Sequence, residues 1–188
     1  MNPTGNTILI TGGGSGIGRG LAEALHTPGN QVVIAGRRQS ALDETTAANP
    51  GMNADVFDVQ NAASIRDFAA QVTADFHTLN VLINNAGIMR HENLHKQQDD
   101  LADAEAIVAT NLLGPIRLIA ALLPHLKQQP RSAILNVSSG LAFVPLVLTP
   151  TYCATKAAIH SYTESLRFQL RSTPIEVLEL IPPTCKRI

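Results

Sequence analysis

The sequence predicts an α/β protein, a doubly wound parallel sheet with helices on both faces in three α/β/α layers. Three observations carry this prediction. Short continuous apolar runs alternate with amphipathic segments of helical period, the pattern of parallel strands buried on both faces. A glycine cluster follows directly on the first apolar run. Apolar residues make up 45% of the chain and charged residues 15%, a balance that suits a buried sheet.

The elements follow in order. Thr7-Ile8-Leu9-Ile10 is the first strand, and Gly16 to Leu25 a helix with Ile17, Leu21, Ala24 and Leu25 at helical spacing. Pro28-Gly29 ends that helix. Gln31 to Ala35 is the second strand, a weaker helix runs from about Ser40 to Ala48, and Ala54 to Phe57 is the third strand. Asn61 is placed to cap a helix whose Ile65, Phe68, Ala69, Val72 and Phe76 form one apolar face. Asn80 to Ile83 is the fourth strand, with Asn84-Asn85-Ala86-Gly87 as the turn after it. A long helix covers roughly Leu101 to Leu126, and Ala133 to Val137 is the fifth strand. A helix from about Tyr152 to Arg171 precedes the sixth strand, Ile175 to Ile181. Right-handed crossovers make such an order doubly wound, and ligands then bind beyond the carboxyl ends of the strands.

A length of 188 residues predicts a single domain, 1–188, which buries about 70% of its unfolded surface. The net charge of −1 gives no reason to expect nucleic acid or an anionic membrane as partner. Cys153 and Cys185 make neither a disulfide framework nor a metal spacing, which fits a reducing, cytoplasmic setting. Met1 to Ile10 lacks the pattern of a signal peptide, and no apolar run is expected to reach the length of a membrane span. His91, His95, His125 and His160 are scattered, so no metal site is expected. His160 reads as a packing or subunit-contact residue and Cys153 as small filler.

Thr11-Gly12-Gly13-Gly14-Ser15-Gly16-Ile17-Gly18 joins the first strand to the first helix. Glycines let a backbone turn sharply and approach a pyrophosphate, and the helix N-terminus offers free N–H groups to the anion. The second strand ends in Gly36-Arg37-Arg38, where an NAD site usually carries an acidic residue for the ribose hydroxyls. A guanidinium fork suits a 2′-phosphate, so NADP(H) is expected over NAD(H). Two solvated charges opening a helix are the bland alternative. Asp58, beside Val59 after the third strand, equally suits the start of the next helix.

Tyr152 and Lys156 lie one helical turn apart, so the ammonium can approach the region of the hydroxyl. A nearby cation favours the phenolate and would lower a phenol pKa that is otherwise about 10. Ser139 follows the fifth strand and can hydrogen-bond and orient a substrate carbonyl, while the adjacent Ser138 reads as structural. Asn111 falls inside the long helix, an unfavourable place for asparagine, and Pro115 just beyond it disturbs helical hydrogen bonding.

Together, T-G-x-x-x-G-x-G, N-N-A-G, Asn111, Ser139 and Tyr152-x-x-x-Lys156 resemble the short-chain dehydrogenase/reductase family over Thr7 to Pro182. Within it, Leu79 to Met89 and Ser138 to Ser165 look like the DltE-like bacterial oxidoreductases. The resemblance implies a Rossmann-like fold and hydride transfer between NADP(H) and a small-molecule carbonyl or secondary alcohol. It implies that Tyr152 is general acid or base, that Ser139 orients the carbonyl, and that Lys156 binds the nicotinamide ribose. It further implies a local helix distortion at Asn111, with a water leading to the lysine. Cofactor contacts are implied for Gly12, Ser15, Gly16, Ile17 and Gly18, for Arg37 and Arg38, and for Asp58 at the adenine with Val59. They are also implied for Asn85, Ala86 and Gly87, for Tyr152 and Lys156, and for Pro182. A homodimer is implied through the helices around Leu101–Leu126 and Tyr152–Arg171, with Leu112, Leu118, Leu122 and Leu166 as apolar bulk.

The end of the chain departs from the resemblance. Relatives continue past the sixth strand through a P-G turn, a substrate-covering segment, a helix and a seventh strand. Pro183 stands where glycine is usual, and Arg187 where a threonine would meet the nicotinamide. A truncation is therefore expected, with the final helix and seventh strand missing, adenine-side binding retained and turnover very low. The alternative to an enzyme is a nucleotide-binding sensor or inactive remnant.

Overall fold

The computed structural model describes residues 2–96 and 100–183. The expectations for Thr184 to Ile188, Arg187 among them, lie outside the described residues.

Strand β1 (Thr7–Thr11) leads into α1 (Gly16–His26), β2 (Gln31–Gly36) into α2 (Gln39–Ala48), and β3 (Asn53–Val56) into α3 (Ala62–Asp75). Then come β4 (Leu79–Asn84), α4 (Ala102–Val108), a π-helical turn (Ala109–Leu113) and α5 (Gly114–Leu126). The described chain closes with β5 (Ser132–Val137), a 3₁₀ turn (Gly140–Ala142), α6 (Pro150–Leu170) and β6 (Ile175–Leu180). The sheet order is β3-β2-β1-β4-β5-β6, all parallel. The order reverses between β1 and β4, which creates the crevice at the carboxyl ends where such sheets bind nucleotides.

Period-two alternation along each strand divides the core. Ile8, Ile10, Val32, Ile34, Val81 and Ile83 face Ala22 of α1 and Leu42 of α2. Leu9, Val33, Leu82 and Ile134 face the other way, onto Phe68 and Val72 of α3, Leu118 and Leu122 of α5, and Leu166 of α6. Each large apolar side chain buried in this way contributes about 1.5–3 kcal/mol relative to exposure. Local signals set the helix starts: Asn61 Oδ1 accepts from Ala63 N and Ser64 N at 3.0 and 3.2 Å, and Pro150 opens α6.

Two expectations need correction. Leu118, Leu122 and Leu166 are buried against the sheet and Leu112 is half-buried, so these leucines serve the chain's own core. The apolar side chains that α4, α6 and the π turn leave in solvent are others, with Phe168 68% and Leu113 37% exposed. Secondly, the continuous helix Ala102–Leu126 is, by length and composition, apolar enough to cross a membrane. Glu105, Thr110, Asn111 and Arg117 interrupt the apolar run, which masks an 18-residue window of mean hydropathy 1.8 within it. In this fold its apolar side packs on α3, β4 and β5.

Candidate functional site

The chemistry-bearing side chains gather at the carboxyl ends of β1, β4 and β5, on loops that the sheet holds in register. Gly12 and Gly16 take positive φ values of 69° and 55°, which suits glycine and turns the chain sharply out of β1. A Cβ at Gly18 would overlap Gly12 O and Asn85 Nδ2, so only glycine lets α1 approach the loop this closely. A Cβ at Gly16, by contrast, would meet nothing within 4 Å. Ser15 makes no capping hydrogen bond, and Ser15, Gly16 and Ile17 are exposed. An open helix N-terminus over a glycine turn fits the pyrophosphate of a dinucleotide.

Asn85 locks this loop from the far side of the switch point. Its Nδ2 donates to Thr11 O at 2.9 Å and Gly12 O at 3.3 Å. Thr11 Oγ1 accepts from Asn85 N and Ala86 N, both at 3.1 Å. The Asn85 side chain therefore braces the loop, leaving the backbone of Ala86 and Gly87 along the crevice. Arg37 and Arg38 are exposed at the end of β2. Arg38 Nη2 donates to Ser15 Oγ at 3.0 Å, which ties the arginine pair to the glycine loop. Among the described residues Arg37 makes no ion pair. Asp58 Oδ1 accepts from Gln60 N at 3.0 Å, and buried Val59 packs under Gly114.

On the other side of the crevice, the Tyr152 hydroxyl lies close to the Ser139 side chain. Ser139 Oγ accepts from Leu141 N at 3.1 Å, because Ser139 caps the 3₁₀ turn. Ser138 points to β6 instead, its N–H and hydroxyl both reaching Leu180 O. Pro182 adjoins the same turn, its carbonyl accepting from Gly140 N at 3.1 Å. Lys156 is buried, with Nζ 5.7 Å from the centroid of the Tyr152 ring and donating to Val137 O at 2.8 Å. Burial lowers its pKa to about 8. The Tyr152 phenol moves in the direction opposite to that expected from the sequence. Burial raises its pKa, partly offset by the nearby Ser139 hydroxyl. The ammonium lies over the ring and is committed to a backbone carbonyl, so the phenolate gains little from it here.

Asn111 sits in the π turn. Its Oδ1 accepts from Ile88 N at 2.9 Å, and its Nδ2 donates to Ile88 O at 2.9 Å and to Thr155 Oγ1 at 3.2 Å. The wider turn, closed by Gly114 N on Ala109 O, lets this side chain reach the loop after β4. A Cβ at Gly87 would lie 3.4 Å from Asn111 Oδ1 and 3.7 Å from Lys156 Nζ, so the two groups border one space.

Sequence reasoning missed three partners. The Val137 carbonyl has no side-chain signal. Thr155, between Tyr152 and Lys156, carries no signal in the sequence, and Asn111 Nδ2 donates to its hydroxyl. Glu92, far away in sequence, accepts from Thr151 N and Oγ1 at 2.9 and 2.6 Å, pinning the loop after β4 to the start of α6. The fold also brings His160, Glu164 and Glu179 within 4.8 Å, although the histidines are scattered in sequence. His160 Nδ1 pairs with Glu179 at 2.9 Å and Glu164 pairs with Arg167, so the cluster forms ion pairs of its own. A cavity of about 580 Å³ lies at the opposite end of the sheet, lined by Asn6, Asn80 and Ser132, away from all of this chemistry.

Comparison with known proteins adds to this geometry. The family model for short chain dehydrogenases matches residues 6–187. The uncharacterized oxidoreductase DltE of Bacillus subtilis is 42% identical over 183 residues, 97% of this chain and 73% of that protein. The closed form of a serine dehydrogenase complexed with NADP+ superimposes with a TM-score of 0.87 at 28% identity, covering 94% of this chain and 71% of that one. A short chain dehydrogenase/reductase from Burkholderia phymatum in complex with NAD gives a TM-score of 0.88 at 27% identity, with 95% and 66% covered.

Proposed function

Because this chain belongs to the short chain dehydrogenase family and is an oxidoreductase, we propose that it transfers a hydride between NADP(H) and a carbonyl or secondary alcohol. The observation that carries this reading is the convergence of Ser139, Tyr152 and Lys156 at the switch-point crevice, with Lys156 Nζ 5.7 Å from the centroid of the Tyr152 ring. When bound, the nicotinamide cofactor supplies or accepts the hydride. Tyr152 gives its phenolic proton to the carbonyl oxygen in reduction and recovers it in oxidation. The raised phenol pKa keeps that proton in place, which is the form a reduction consumes. Ser139 donates to the same oxygen and orients it. Lys156 binds the nicotinamide ribose and feeds protons to Tyr152, and Asn111 anchors the relay from the π turn.

The fit to the cofactor rests on the open N-terminus of α1, with Gly12, Ser15, Gly16, Ile17 and Gly18 at the phosphates. Asp58 and Val59 take the adenine end, Asn85, Ala86 and Gly87 the middle, and Pro182 the nicotinamide side. Bound neighbours of both kinds exist, one with NADP+ and one with NAD, so the preference is argued from this chain's own residues. Arg37 and Arg38 are exposed, Arg38 is bonded to Ser15, and guanidinium forks suit a 2′-phosphate. We further propose a single domain over residues 1–188, a cytoplasmic setting, and a homodimer.

NADPH oxidation against a panel of carbonyl compounds, with binding of both nucleotides measured in parallel, tests this reading. Slow carbonyl-dependent oxidation with tighter NADPH than NADH binding is expected. Tight nucleotide binding with no turnover on any carbonyl would favour a sensor instead.

A further inference from the structure

We infer that the substrate side of this crevice takes an uncharged, aliphatic carbonyl compound or alcohol, held along the apolar loop 143–148. The inference rests on the hydride-transfer reading and narrows its substrate class. The loop runs from the 3₁₀ turn capped by Ser139 to the helix that carries Tyr152, so both of its ends are fixed to the reacting groups. Phe143-Val144-Pro145-Leu146-Val147-Leu148 contains no charge, and neither does the rest of the chain from Leu141 to Tyr152.

The loop is anchored, not loose. Phe143 packs edge-on against His160 at 4.7 Å, and Glu179 fixes that imidazole. Leu146 N donates to Cys153 Sγ at 3.3 Å, and Leu148 O accepts from Glu92 N at 2.9 Å. Between these anchors Val144 is 74% exposed and Val147 89% exposed, with Leu148 at 53%. Exposed apolar side chains in one segment, held by polar anchors at its backbone, mark a binding surface. Two charges on the segment after β4 have partners of their own: both oxygens of Glu92 accept from Thr151, and Arg90 pairs with Asp103 at 3.6 Å.

The test uses the full chain with NADPH and straight-chain aldehydes of three to twelve carbons, beside succinic semialdehyde as the charged competitor. The inference predicts that kcat/KM rises by roughly threefold per methylene over several carbons. It predicts that Val147→Asp abolishes this slope by raising KM for long aldehydes more than for propanal. A flat chain-length profile, or a preference for succinic semialdehyde, would overturn the substrate class while leaving hydride transfer standing. Binding of 1-decanol and 1-butanol in the presence of NADP+, by calorimetry, decides the matter if no aldehyde turns over. Tighter binding of decanol that is lost in Val147→Asp supports the inference although the hydride-transfer reading has failed. Equal or no binding of both alcohols overturns it.

Discussion

Lys156 carries an amine into the interior, where burial lowers its pKa from 10.5 to about 8. Between those two values the unfolded chain holds a proton that the folded chain has lost, so stability rises with pH across that window. The shift corresponds to a change on the order of 3 kcal/mol. Urea unfolding of wild type and Lys156→Met at pH 7 and pH 10 should show the wild type gaining about that much relative to the variant. A pH-independent difference would mean that the amine is not buried as described. Arg37→Ala should weaken NADPH binding by about 1.5–3 kcal/mol and NADH binding far less, because one charge-assisted phosphate contact is lost. Equal wild-type affinities for the two nucleotides would refute the arginine reading. At this scale the sequence was informative about residue types and poor on their electrostatics. Tyr152 and Lys156 stand out from helical spacing alone. The direction of the phenol shift does not, because it depends on burial and on a lysine that bonds to the Val137 carbonyl. The His160–Glu179 pair likewise joins a helix to a strand that follows it, which no local pattern announces.

Among the elements, the π turn at Ala109–Leu113 is where local rules are broken to position a side chain. Asparagine in a helix and a proline just after it signalled a disturbance, but not its register. Gly114 shows why the turn lies where it does. A Cβ there would overlap Val59 Cγ2 and come within 2.9 Å of Val59 O. Helix propensity alone would make Gly114→Ala stabilising by about 1 kcal/mol. Overpacking against backbone opposes this, with a typical cost of about 1–3 kcal/mol, so the variant is expected to be destabilised. Chemical denaturation checks the sign, and a more stable Gly114→Ala would show that α5 is free to move off Val59. Strand and helix positions were otherwise legible to within a few residues, since continuous apolar runs and the Asn61 cap are local signals. The membrane-length character of Ala102–Leu126 was not, because its few polar residues are spread along the run.

For the molecule as a whole, alternation of strand and helix predicted a doubly wound sheet, and the order β3-β2-β1-β4-β5-β6 agrees. What alternation could not foresee is which helix faces remain open, since that depends on how α5 and α6 are rotated against the sheet. With Leu118, Leu122 and Leu166 buried, the proposed homodimer would have Phe168 and Leu113 among its exposed apolar contacts. Light scattering should therefore give a dimer, and Phe168→Asp should shift it to monomer; a wild-type monomer or tetramer would contradict this. The central claim is that Tyr152 is the proton donor in a hydride transfer at the switch-point crevice. Single-turnover oxidation of NADPH by an aliphatic aldehyde, with enzyme in excess, tests it most directly on wild type and Tyr152→Phe. Tyr152→Phe should lose about 10²–10⁴-fold in rate with NADPH affinity unchanged. A Tyr152→Phe variant that oxidises NADPH at the wild-type rate would contradict it.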